Sequence, residues 1–130
     1  MPRGVFLALL LVVIAACGDA TGDTIIFGEG EIPSAVPSDF PLPADAVIGS
    51  TLVDTINTKS EFEFRTATNL SVLVQFLSVR LVEAGYVIDE SSGDLAGWSL
   101  TFRRGSLQGD VLLRSLGGEA SQGAVTVNDT

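Results

Sequence analysis

Sixteen carboxylates and seven basic side chains, with one cysteine and no histidine, are the groups from which any chemistry in this chain must be built. Without histidine there is neither a Ser-His triad nor an ordinary zinc site. A serine activated by lysine would need Lys59, the only lysine, and the adjacent Ser60 points to the opposite face of a strand. Glu61 and Glu63 share one strand face about 7 Å apart. Paired carboxylates perform glycoside hydrolysis when one is desolvated enough to keep its proton. Here Lys59 and Arg65 flank the pair, which reads instead as a solvated ladder of alternating charge. Asp89, Glu90 and Asp94 gather around Ser91-Ser92-Gly93, oxygen-rich enough for a weak calcium contact, but their spacing is not that of an EF-hand and a polar turn is expected. Arg103, Arg104 and Arg114 form a fork for a phosphate or carboxylate if the two late strands pair. The formal net charge of −9 has the wrong sign for nucleic acid. No catalytic residue, metal site or bound cofactor is expected.

The elements that position these groups follow from periodicity. Val47 to Thr55 and Lys59 to Ala67 alternate with period two and predict a hairpin around Ile56-Asn57-Thr58. Phe62 and Phe64 then fall on a buried face, opposite the charged ladder. Asn69 is a helix N-cap before Leu70 to Ala84, and Gly85 stands where a left-handed stop is expected. Leu70, Leu73, Val74, Leu77, Leu81 and Ala84 form one helical stripe that should pack on a sheet. Val72, Phe76 and Val79 lie off that stripe, so the helix is either covered on both sides or presents an apolar binding surface. Tyr86 to Ile88, Gly97 to Arg104, Gly109 to Leu116 and Gly123 to Val127 read as further short strands between Gly- and Ser-rich breaks. The predicted fold is α+β, a small antiparallel sheet with one helix on a face, in the order ββαβββ(β). Phe62, Phe64, Trp98, Leu100 and Phe102 are its expected core.

The front of the chain reads differently. Met1-Pro2-Arg3-Gly4 is followed by Val5 to Ala16 without a charge, a basic start and a short apolar stretch typical of a secretion signal. As a helix those twelve residues would span about 18 Å, short of the roughly 30 Å hydrocarbon core. The stretch ends in Ile14-Ala15-Ala16-Cys17, which resembles the lipobox of bacterial lipoproteins. That resemblance implies cleavage between Ala16 and Cys17, a diacylglyceryl thioether on Cys17, in many species an added acyl chain such as palmitate on the new amino terminus, and a place on the extracytoplasmic side of the cell membrane. Two or more acyl chains hold stably where one binds only reversibly. A lipidated Cys17 also leaves the chain without a thiol nucleophile.

Residues 18 to 45 hold four glycines, four prolines, six acidic residues and no basic one, and read as a tether. Within it Thr24-Ile25-Ile26-Phe27 is an apolar, β-prone patch expected to pack on the domain. Pro37 to Pro43 is expected to be extended, presenting Phe40 and Leu42 to an apolar surface. The chain thus divides into a signal peptide (1–16), Cys17 with its tether (17–45) and a domain (46–130). These features point to a non-enzymatic extracytoplasmic lipoprotein that meets the membrane through its lipid and binds an envelope protein or component. The alternative is a carrier that holds a lipid or other apolar ligand between sheet and helix, the extra helix hydrophobes lining its cavity.

Overall fold

The computed structural model describes residues 24 to 129, so the expected signal peptide, its expected Ala16–Cys17 cleavage site and Cys17 itself lie outside the described residues. Seven strands and one helix are formed: β1 (Ile25–Glu29), β2 (Val47–Asp54), β3 (Lys59–Thr66), α1 (Leu70–Glu83), β4 (Val87–Gly93), β5 (Gly97–Arg104), β6 (Leu107–Gly117) and β7 (Ala120–Asp129). The strands make one sheet in the order β1-β2-β3-β7-β6-β5-β4, every neighbouring pair antiparallel. The α+β expectation holds in its coarse form, a mostly antiparallel sheet carrying one helix. One strand precedes those expected.

The helix is set by its ends and its stripe. Asn69 Oδ1 accepts from the Val72 amide at 3.0 Å, the N-cap bond its position predicts. Past the last turn, Gly85 adopts φ 94°. Its amide donates to Val82 O and the Tyr86 amide donates to Leu81 O, the paired bonds of a Schellman stop. Between these ends Leu70, Leu73, Leu77 and Leu81 are buried. From the centre of the sheet α1 crosses β7, β6 and β5 to deliver the chain to β4 at the far edge, and the β4 to β7 meander returns to pair with β3.

On the face beneath the helix, Phe62 and Phe64 of β3 align with Leu100 and Phe102 of β5, Val111 and Leu113 of β6, and Val125 and Val127 of β7. Each ring needs room at its cross-strand neighbour. Phe64 stands opposite Gly123, Phe102 opposite Gly109 and Trp98 opposite Gly93. A Cβ at any of the three would run into the facing residue's side chain, and at Gly93 and Gly109 into nearby backbone as well. This explains why β6 and β7 begin before the glycines that sequence reading makes their first residues. It also explains why β4 runs through Ser91 to Gly93, where the sequence predicts a break. Trp98, expected at the centre, is only half buried at the margin of the core.

The segment read as a tether is part of the domain from residue 25 onward. β1 pairs along β2, from Ile25 opposite Asp54 to Glu29 opposite Ser50. Residues 33 to 46 are not one continuous extended segment. Pro33, Pro37 and Pro43 each open a turn, their carbonyls accepting from the amides of Val36, Phe40 and Ala46. These turns bury Val36 and Phe40 in the core. The Phe40 ring meets Phe62, Tyr86 and Phe102 at centroid distances of 6.3, 6.1 and 5.6 Å. Asp45 fastens the last turn, accepting from Thr66 Oγ1 at 2.6 Å and the Ala67 amide at 2.9 Å.

Candidate functional site

Of the off-stripe residues of the helix, Val72 and Val79 face away from the sheet, whereas Phe76 is partly buried and packs against the margin of the core. Val72 and Val79 are 51% and 49% exposed, and Phe76 between them is partly covered by the Arg80 guanidinium, 5.7 Å from its ring centroid. Arg80 also pairs with Glu83 at 3.2 Å. Of the two alternatives left open for these hydrophobes, the outward apolar strip is the one formed. Val72 and Val79 do not line an interior between helix and sheet, where the carrier reading expects them, because the four stripe leucines already fill that contact. Val82, 58% exposed, widens the outer surface toward the C-terminal end of α1.

The three arginines expected to cluster do not meet. Arg103 and Arg104 are consecutive in β5 and project to opposite faces. Arg103 stands opposite Gln108 and Arg114 opposite Gly97, so about 20 Å of strand separates them. Each has local partners. Arg103 Nε bonds both carboxylate oxygens of Asp89 at 3.1 Å. Arg114 donates to Gln122 Oε1 at 3.1 Å. Arg104 grips Asp39 through two bonds of 2.9 and 3.1 Å, donates to Ala84 O and lies 4.3 Å from the Tyr86 ring centroid. That hydrogen bonding holds the Asp39 carboxyl below its ordinary pKa and raises that of Arg104. Arg104 therefore ties the proline turns to the end of the helix rather than offering a fork to a ligand.

The acidic groups are likewise divided. Glu63 accepts from Ser50 Oγ and Gln122 Nε2, and Glu61 from Thr126 Oγ1, all on the open face of the sheet. Asp94 Oδ1 caps its own turn, accepting from the Ala96 and Gly97 amides, bonds that lower its pKa. With Asp89 held by Arg103 and Asp94 by its own turn, the three carboxylates expected to crowd one turn do not form a cluster. Among the described residues no group of three or more metal-ligating side chains forms. The acid that sequence reading passed over is Asp110. It lies in the same open-face row as Glu61, with Thr126 between them and Thr101 on its other side. Partial burial, and then the neighbouring Glu61 charge, raise its pKa. The available signal was a lone aspartate breaking an apolar run, Gly109-Asp110-Val111-Leu112-Leu113.

Two further surfaces emerge only in three dimensions. A cleft of about 330 Å³ lies between the start of α1 and the β4–β5 turn, lined by Leu70, Ser71, Val74, Asp94, Leu95 and Trp98. Leu95 at the turn is 87% exposed, and Trp98 Nε1 is already satisfied by Ser91 Oγ at 2.9 Å, leaving its ring as the apolar wall. At the opposite edge of the sheet, β1 leaves Ile25, Ile26 and Phe27 in the open. Among the described residues no helix is long and apolar enough to cross a membrane. Compared with protein-family models, curated proteins and solved structures, the chain matches none.

Proposed function

We propose that this chain is a lipoprotein anchored through Cys17 on the extracytoplasmic side of the cell membrane, and that its domain binds an envelope protein without catalysing a reaction. The observation that carries the binding role is the exposure of Val72, Val79 and Val82 on the outer side of α1, with the partly buried Phe76 at their flank. Aliphatic side chains placed together on a helix face turned from its own core fit a partner surface better than they fit water. The lipobox residues Ile14 to Cys17 support the address.

The mature protein should begin at Cys17 and carry a diacylglyceryl mass, read on its amino-terminal peptide. Crosslinking in living cells tests the binding role. Replacing the exposed Val72 and Val79 together by alanine should remove crosslinked neighbours while the thermal midpoint holds. A variant that keeps every neighbour but melts early assigns these residues to the fold and removes the reading.

The cleft beside Trp98 favours a second reading, capture of an apolar ligand on the surface rather than within the sheet–helix contact. Native mass spectrometry of protein purified from membranes should then show lipid beyond the covalent anchor. A bare mass counts against it.

A further inference from the structure

We infer that one corner of the domain, formed by Ile25, Ile26 and Phe27 of β1 and Ile56 at the β2–β3 turn, rests against the lipid surface, with the Leu95 turn held away from it. The inference rests on the Cys17 anchor proposed above.

Strand directions sort the loops into two ends. The β2–β3 turn (55–58), the β5–β6 turn (105–106) and Asp129 share one end; the β4–β5 turn (94–96) and the β6–β7 turn (118–119) share the other. Thr24, the first described residue, belongs to the first end. Its amide donates to Thr55 Oγ1 at 2.7 Å and its carbonyl accepts from the Thr55 amide at 3.0 Å. Only seven residue steps separate Cys17 from Thr24, a reach of at most about 25 Å even fully extended. β7, with 10 residues, spans about 33 Å. An upright domain with its Leu95 end on the bilayer is therefore beyond the reach of the tether.

The surface at this corner suits lipid. Ile25, Ile26, Phe27 and Ile56 are 49%, 55%, 76% and 56% exposed. Ile25 and Phe27 point to the open face and Ile26 to the other, so the edge is apolar on both sides. The nearest carboxylates are turned inward or bonded. Asp54 accepts from the Ile56 and Asn57 amides and from Asn57 Nδ2, while Asp129 accepts from Ser106 Oγ. Glu29 lies at the other end of β1. A zwitterionic surface is the matching partner, because the acidic tether is repelled by an anionic one.

The test labels single cysteines, since Cys17 is the only native one and its sulfur is occupied in the lipidated form. Ile56→Cys, Phe27→Cys and Leu95→Cys, each in the full lipidated chain, receive a spin label and are reconstituted into phosphatidylcholine vesicles. Labels at 56 and 27 should be severalfold less accessible to an aqueous nickel reagent, and severalfold more accessible to oxygen, than the label at 95. Equal aqueous access at all three positions, in protein whose mass shows lipid on Cys17, overturns the lipid contact and leaves the anchor standing. A mature protein without lipid overturns both.

Discussion

The two faces of the sheet are built by opposite rules. Beneath the body of α1 the ladder positions are apolar or small, with Arg104 and Asp129 only at the end of the face, and rings are seated over glycines: Phe64 on Gly123 and Phe102 on Gly109. On the open face the rows alternate in character, Glu61, Thr126, Asp110 and Thr101 in one and Glu63, Ala124, Leu112 and Ser99 in the next. The covered face tolerates little change in volume because interiors are close-packed. Water supports the other face, where substitution mainly changes charge and hydrogen bonding. The covered face is committed to stability, and the surfaces free to meet a partner are the outer helix strip, the Leu95 cleft and the β1 edge.

The contrast breaks most readily at Phe64. Phe64→Ala should cost about 3–5 kcal/mol in chemical denaturation, as expected for emptying a fully buried ring site. A loss below that seen for an exposed hydrophobe such as Leu112→Ala would mean that the helix does not seal this face. Next in size is Gly123→Ala, which adds one methyl group beneath the same ring and should cost about 1–3 kcal/mol by overpacking. Pairing it with Phe64→Leu should recover part of the loss. An additive double variant would separate the glycine from the ring.

Tyr86 sharpens the comparison from inside. Its ring is buried between Phe40 and Phe102, but its hydroxyl has no hydrogen-bond partner among the described residues, and burial raises its pKa. Tyr86→Phe should stabilise the domain by about 1 kcal/mol, measured as a higher denaturant midpoint at unchanged slope. A lower midpoint would show that the hydroxyl has a partner in solution.

The smallest effect is on the open face. Asp110 has a raised pKa in the folded chain, so its protonated form favours folding. That contribution is complete below the unfolded value near 3.9 and is lost as pH rises through the higher folded value. Asp110→Asn should accordingly raise the thermal midpoint at neutral pH by on the order of 2 °C, the gain vanishing in acid. Asp39, Asp45, Asp54 and Asp94 carry the opposite sign. Their pKa values are lowered by hydrogen bonds, so their support is lost as pH falls through those depressed values. A midpoint for Asp110→Asn that is unchanged at neutral pH would place the carboxylate fully in water.

Much of this fold was legible because its signals are local. The Asn69 cap, the leucine stripe and the Gly85 stop lie within one stretch of chain, and the predicted helix ends within a residue of the observed one. β5 matches its expected span. The misreadings share a cause of another kind. Gly93, Gly109 and Gly123 carry the usual mark of a break, but a ring supplied by a different strand occupies the space above each one. Pro33 to Phe40 has a tether's composition, and only Phe62, Tyr86 and Phe102, distant in sequence, make its turns part of a core. The candidate site divides in the same way. The helix strip could be read from 3.6-residue spacing, whereas the Leu95 cleft and the Asp110 row depend on how strands are brought side by side.

By itself the sequence determined the lipobox resemblance at Ile14 to Cys17, the single capped helix, the alternating strands and the lack of histidine chemistry, since each depends on residue type and short spacing. The folded arrangement alone reveals that β1 and the proline turns join the domain, that Arg103, Arg104 and Arg114 are taken up by separate local partners, and that Thr24 joins the end of the sheet that carries the β2–β3 turn. Those outcomes depend on strand order and register. Both are set by contacts between residues tens of positions apart, and local propensity carries no record of them.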